Sequence, residues 1–135
     1  MTTTHRDLID DYYGALNTGQ FERLDELLSD QFGDHETMFS IPPTRAGLQE
    51  KYALLRGAFS DFRFTVDDSV AADDRIAVRL TVQGTHDGDF MGRPATGAQF
   101  RVDSVGIFRI EDARIVEHWG VFDQMAMLRQ VSAPA

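Results

Sequence analysis

The stretch Arg114–Gln130, R-I-V-E-H-W-G-V-F-D-Q-M-A-M-L-R-Q, changes its period part-way along. At first Ile115, Glu117, Trp119 and Val121 share one parity, and Val116, His118, Gly120 and Phe122 the other, which is the alternation of a strand. Beyond it Met125, Leu128 and the aliphatic part of Arg129 fit one face of a short helix, with Asp123 where an N-cap would stand. A last strand running into a last helix is expected, with an acid, a histidine and the chain's only tryptophan at the junction. Phe122 and Met125 beside Asp123 would exclude water from its carboxylate and favour the protonated form. The plainer alternative is a helix cap.

Upstream of this junction the period is two. Phe62, Phe64 and Val66 alternate with polar residues, Asp73-Asp74 marks a turn, and Ile76, Val78, Leu80 and Val82 alternate again. A glycine-rich connection from Gly84 to Gly97 precedes a further strand from about Gln99 to Ile110, which Glu111-Asp112-Ala113 turns into the last one. At about 3.4 Å per residue that strand would run close to 40 Å if straight, too long for a domain of this size, so the sheet must bend. Gly84, Gly106 and Gly120 are the places for it.

The N-terminal part is helical in pattern. Leu8, Ile9, Tyr12, Tyr13 and Leu16 predict a helix from about Thr4 to Asn17, and Phe21, Leu24, Leu27 and Leu28 a second one. Residues 32–44 are irregular, with Pro42-Pro43 keeping the backbone extended. Thr44 caps a third helix with Leu48, Tyr52, Leu55 and Phe59 as its buried stripe. Three helices, a meander of about four long strands and a short helix make an α+β domain spanning residues 1–135. A strongly curved, mainly antiparallel sheet over helices encloses a cone whose open end is a pocket. Tyr13, Met38, Phe39, Tyr52, Phe59, Phe90, Met91, Trp119 and Phe122 are its candidate lining.

Composition narrows the partners. A formal charge of −9 argues against nucleic acid and anionic membranes, and favours a neutral or weakly polar small molecule. With no cysteine there is no disulfide framework and no thiolate chemistry. The N-terminus lacks an apolar run of signal-peptide length, and no stretch approaches a membrane span, so a cytoplasmic protein is the expectation.

F-G-D-H from residue 32, A-F-S-D at 58–61, V-R-L-T-V-Q-G-T-H-D-G-D-F-M-G-R-P-A-T-G and I-F-R-I-E-D-A-R-I-V-E-H-W-G-V-F-D-Q-M-A-M-L-R-Q together resemble the SnoaL-like polyketide cyclase family. The resemblance covers nearly the whole chain and implies the cone-shaped α+β barrel also seen in nuclear transport factor 2, ketosteroid isomerase and limonene epoxide hydrolase. It implies a pocket without cofactor or metal, used to close a ring of an aromatic polyketide by intramolecular aldol condensation. The family's acid/base aspartate matches Asp123, while its histidines match His35, His86 and His118. Tyr12 or Tyr13 falls where members present an aromatic ring. Ala113 departs from the pattern, standing where the turn usually has glycine.

Aldol ring closure needs a base for a proton α to a carbonyl and a donor for the developing oxyanion. Asp123 is the expected base and His118 the expected donor, although alternation sets His118 opposite Trp119, and a turn before Asp123 would have to bring 118 and 123 together. His35, His86, Trp119, Tyr13, Phe39, Tyr52, Met91 and Phe122 are the expected substrate contacts. His35 has a surface ion pair as its alternative and His86 a solvated loop. No histidine spacing typical of a metal site occurs. The alternatives are an epoxide-opening hydrolase or cyclase, with Asp103 or Glu117 as second acid, and a non-catalytic ligand-binding or assembly protein. A homodimer or homotetramer through the convex sheet face is expected.

Overall fold

A computed structural model describes residues 4–36 and 40–132. Helix α1, His5–Thr18, begins where the Thr4 hydroxyl accepts from the Asp7 N–H at 3.0 Å and the Asp7 carboxylate accepts from the Thr4 N–H at 3.1 Å. This reciprocal cap satisfies two backbone donors that the first turn leaves free. Gly19 ends the helix at φ 73°, a left-handed position that costs glycine little. Leu8, Ile9, Tyr12, Tyr13 and Leu16 are buried, as their spacing predicts.

The expected second helix is cut short. Phe21–Arg23 form a 3-10 turn, α2 is the single turn Leu24–Leu27, and Leu28 already opens strand β1, Leu28–Asp34. The sheet therefore has five strands rather than the expected four. β1 escaped notice because L-S-D-Q-F-G-D has no clean apolar alternation: it is an edge strand whose pairing is irregular between Leu28 and Gly33. Helix α3, Arg45–Ala58, starts where the Thr44 hydroxyl accepts from the Gly47 N–H at 3.1 Å. Its buried face carries Leu48, Tyr52, Leu55 and, among them, Lys51.

Strands β2 (Arg63–Ala72), β3 (Arg75–Thr85), β4 (Gln99–Glu111) and β5 (Arg114–Phe122) form the expected meander, and α4, Gln124–Ser132, follows. The order across the sheet is β1-β5-β4-β3-β2, with β1 parallel to β5 and every other pair antiparallel. The sheet curves without closing, and register shifts at Val66/Asp68 and Arg109/Ile110 mark bends in it. Alternation along β4 is strict: Phe100, Val102, Ser104, Gly106, Phe108 and Ile110 face the helices, and their neighbours face out. The β4–β5 turn places both Asp112 (φ 51°) and Ala113 (φ 61°) in left-handed backbone, so the departure from glycine at 113 leaves a strained residue there.

The glycine-rich connection between β3 and β4 packs partly into the core. His86 and Phe90 turn inward and pack with Phe59 in the core, ring centroids 5.5 and 5.2 Å away. Among the described residues no helix is long and apolar enough to cross a membrane.

Candidate active site

The end of β1 lies beside the middle of β5. β1 brings in Asp34, and β5 pairs His118 directly opposite it in parallel register. The His35 N–H donates to the His118 carbonyl at 2.8 Å, and the Asp34 N–H donates to Pro43 O at 3.0 Å, so the proline pair tethers the end of β1. Alternation then sends Asp34 inward, His35 outward and Glu36 inward.

Inside, His118 Nδ1 lies 3.0 Å from Asp34 Oδ1, and Lys51 Nζ donates to Asp34 Oδ2 at 2.8 Å. The three side chains are 3–5% exposed. Lys51 also donates to the Glu36 carbonyl at 3.0 Å, and the Glu36 N–H donates to Asp34 Oδ1 at 3.0 Å. Burial alone would push the Asp34 carboxyl up, but the His118 hydrogen bond and the Lys51 charge hold it down to about 2. An ionised carboxylate has no proton to give, so Nδ1 of His118 must carry the one between them. In the neutral ring this leaves Nε2 as a lone pair. Nε2 lies 3.7 Å from Glu36 Oε2, beyond hydrogen-bond reach. Burial raises Glu36 above the usual carboxylate range, with Asp34 adding to the rise and His118 and Lys51 opposing it. The Phe108 ring stacks on His118 with centroids 4.6 Å apart.

Two glycines make room for this pair. Gly106 and Gly120 face each other across β4 and β5. A Cβ at 106 would press on His118 Nε2 at 3.2 Å, and one at 120 would overlap the Glu36 carboxylate. These residues, expected as bends, are the floor on which the two side chains sit.

His118 and Glu36 open onto a narrow cavity of about 20 Å³, with Ser104 as its third polar group. Tyr13, Tyr52, Phe62, Phe64, Phe122 and Leu55 form its walls. Burial pushes the Tyr13 and Tyr52 phenols well above their ordinary range, so both remain neutral donors.

Several expected site residues lie elsewhere. Asp123 is exposed, and its carboxylate accepts from the Ala126 N–H at 3.0 Å as a helix cap. The desolvation expected from Phe122 and Met125 fails because Met125 is 69% exposed and points away from the core. Asp123 sits on the rim of an open depression that adjoins the cavity through Ser104 and Phe122. His35 faces the outside of the sheet, stacked on Trp119 at 5.0 Å and bonded to Glu117 at 2.9 Å. Trp119 lies on that same outer face, so neither reaches the cavity. His86 is fully buried rather than solvated, its Nδ1 3.0 Å from the Thr96 hydroxyl, and it takes no part in the cavity lining. Met91 is 65% exposed in its loop. Asp103 and Glu117, the expected second acids, are on the outer face. Met38 and Phe39 lie outside the described residues. Of the expected contacts, Tyr13, Tyr52 and Phe122 are at the cavity wall, and His118 faces it with Asp34 rather than Asp123 as its partner.

Asp34, Glu36 and Lys51 were not anticipated. One signal existed: Lys51 is three residues from Leu48 and four from Leu55, a charge in the middle of an apolar stripe, which demands a buried partner.

The family described as SnoaL-like polyketide cyclase matches residues 6–131. Aklanonic acid methyl ester cyclase DnrD of Streptomyces peucetius is 26% identical over 137 residues, covering 98% of this chain and 93% of that protein. Among solved structures, IdmH of Streptomyces antibioticus, a candidate polyketide cyclase, is 34% identical with a TM-score of 0.85, over 95% of this chain and 98% of that one. AclR of Streptomyces galilaeus, a candidate hydroxylase, is 26% identical with a TM-score of 0.80, over 94% and 80%. An open α+β cone with this strand order, matched from Arg6 to Val131, places the chain in the SnoaL-like polyketide cyclase family.

Proposed function

We propose that the protein closes a ring in a polyketide-type substrate by intramolecular aldol condensation, with His118 and Glu36 as its acid/base pair. The observation that carries this reading is the His118 ring, held by ionised Asp34, facing Glu36 across 3.7 Å in an aromatic-walled cavity. The relatives named for cyclase activity supply the substrate class. Nε2 of His118 takes the proton α to a substrate carbonyl. The enolate carbon bonds to a second carbonyl carbon, whose oxygen takes the proton of Glu36. The imidazolium returns its proton to the Glu36 carboxylate, and the site is restored. Nothing is gained or lost, so the step is an isomerisation that needs no cofactor. Tyr13 and Tyr52, as neutral phenols, are suited to hold the enolate oxygen.

A ring-closure assay on an aromatic polyketide methyl ester tests this. The expected product has the mass of the substrate, and His118→Ala lowers turnover by at least ~100-fold, the scale of a lost general base. Unchanged turnover in that variant removes the reading.

Epoxide opening is the second reading. It draws on two inward carboxyls whose environments push them apart, Asp34 down to about 2 and Glu36 up. Product that has gained one water would favour it. A non-catalytic ligand-binding role is what an Asp123 that merely caps its helix suggests; the buried Asp34–His118 pair argues against it. Self-association is read from the outer sheet face, where Val105, Ile107 and Val121 are exposed, and a monomer by light scattering would contradict it.

A further inference from the structure

We infer that Lys51 is a positioning residue that keeps His118 available as a base, an inference resting on the acid/base reading above. The chain has 13 basic residues, of which Lys51 is the only lysine. It stands on the buried face of α3, where its side chain is 3% exposed. Its ammonium makes two contacts at once, to Asp34 Oδ2 at 2.8 Å and to the Glu36 carbonyl at 3.0 Å. A compact cation with three donors fits this position, where a planar guanidinium would need a wider slot.

Lys51 lies behind the site. It borders a small separate cavity of about 10 Å³ with Asp34, Glu36, Pro42, Pro43 and Gly47, and it is absent from the lining of the cavity that His118 faces. It therefore acts through Asp34 and the Glu36 main chain. Asp34 has one oxygen facing His118 and the other facing Lys51. Without the ammonium, a buried carboxylate would lie uncompensated beside His118 and hold the ring as imidazolium, with Nε2 blocked by a proton. With it, the Asp34–Lys51 pair is neutral overall, and the carboxylate orients the ring through Nδ1. The same ammonium fixes the backbone that presents Glu36.

The other titratable groups near His118 are Glu36 on β1's extension, Tyr52 on α3, and Tyr12 and Tyr13 on α1. Burial keeps the three phenols neutral, so among the described residues Glu36 is the competing titration.

The test follows the histidine imidazole nitrogens by NMR against pH, without substrate, in the intact chain, in Lys51→Met and in Lys51→Gln. The Gln variant keeps a hydrogen-bond donor for Asp34 while removing the charge. The expected result is a His118 midpoint raised by about one pH unit in Lys51→Gln, the size of a lost neighbouring charge, while His35 and His86 keep theirs. Repeating the pair in a Glu36→Gln background removes the competing titration and should preserve the rise. A midpoint that stays within about 0.3 unit, or falls, overturns the proposal. Should neither variant fold, the unmodified protein still decides. Its single lysine Nζ signal should inflect at the His118 midpoint, because coupling between two sites is reciprocal. A flat Nζ profile through that midpoint overturns the proposal. In turnover, the acidic limb of kcat/KM should move up by the same amount in Lys51→Gln. An inactive protein that shows the NMR coupling would sink the cyclase reading and leave the charge arrangement standing.

Discussion

Strands β1 and β5 carry two histidine–carboxylate pairs, one on each face of the sheet, built from adjacent residues in reciprocal order. On the inner face Asp34 of β1 meets His118 of β5 at 3.0 Å; on the outer face His35, following β1, meets Glu117 of β5 at 2.9 Å. Sequence and distance scarcely distinguish them. The inner side chains are 4% and 5% exposed, the outer ones 49% and 28%. Outside, the His35 hydrogen bond and then that of Arg109 lower the Glu117 carboxyl, and water screens what remains. Inside, the charges of Lys51, Asp34 and Glu36 surround His118 in a poorly screening medium, and the ring faces an aromatic-walled cavity. One arrangement of atoms is a surface bond; the same arrangement one residue out of phase is the pair on which the proposed chemistry rests.

The largest expected break in this symmetry comes from Asp34→Asn against Glu117→Gln. The first should cost about 3 kcal/mol of stability by leaving Lys51 unpaired, and should lower turnover by ~100-fold or more because an amide no longer fixes the ring tautomer. The second should leave turnover and the urea midpoint nearly unchanged. Urea titrations with parallel turnover assays read both, and equal losses from the two faces would dissolve the comparison.

Gly120→Ala against Gly33→Ala is next. A methyl at 120 overlaps the Glu36 carboxylate, whereas one at 33 meets nothing within 4 Å. Turnover should fall roughly 10-fold or more in the first, as an acid moved by about an ångström loses alignment, and stay near normal in the second.

Acid stability sharpens the contrast further. Asp34 is held at about 2 against an ordinary 3.8, so its contribution is complete above 3.8 and is lost as pH falls through that window toward 2. The loss should be about 2 kcal/mol. Glu36, shifted upward, has the opposite sign, and its penalty is relieved as pH falls toward 4.5, before the Asp34 loss begins. Denaturant titrations at a series of acid pH values should show a shallower decline in Asp34→Asn than in the unaltered chain.

The smallest effect is expected at the junction from which a catalytic aspartate was anticipated. Asp123→Ala should lose about 1 kcal/mol, the worth of a helix cap, and keep turnover within about 3-fold. A hundredfold fall in turnover there would move the chemistry from the inner pair back to Asp123.

Helices α1 and α3, the β2–β5 meander and the last helix were legible because each writes its period into its own residues, and Thr4 and Thr44 mark their caps. Strand β1 was not, since an edge strand with irregular pairing carries little of that pattern. His118 could be named as a candidate from its neighbours, but its partner could not. Asp34 lies 84 residues away and meets it through a parallel pairing that no local periodicity encodes. Asp123 looked desolvated because Phe122 and Met125 flank it in sequence, yet exposure is decided by which way α4 turns. The sequence by itself determined the elements, their caps and the apolar face of each, because those depend on neighbours three or four residues away. Only the tertiary structure decided which carboxylates meet Lys51 and His118, because burial and charge pairing are properties of the space between elements.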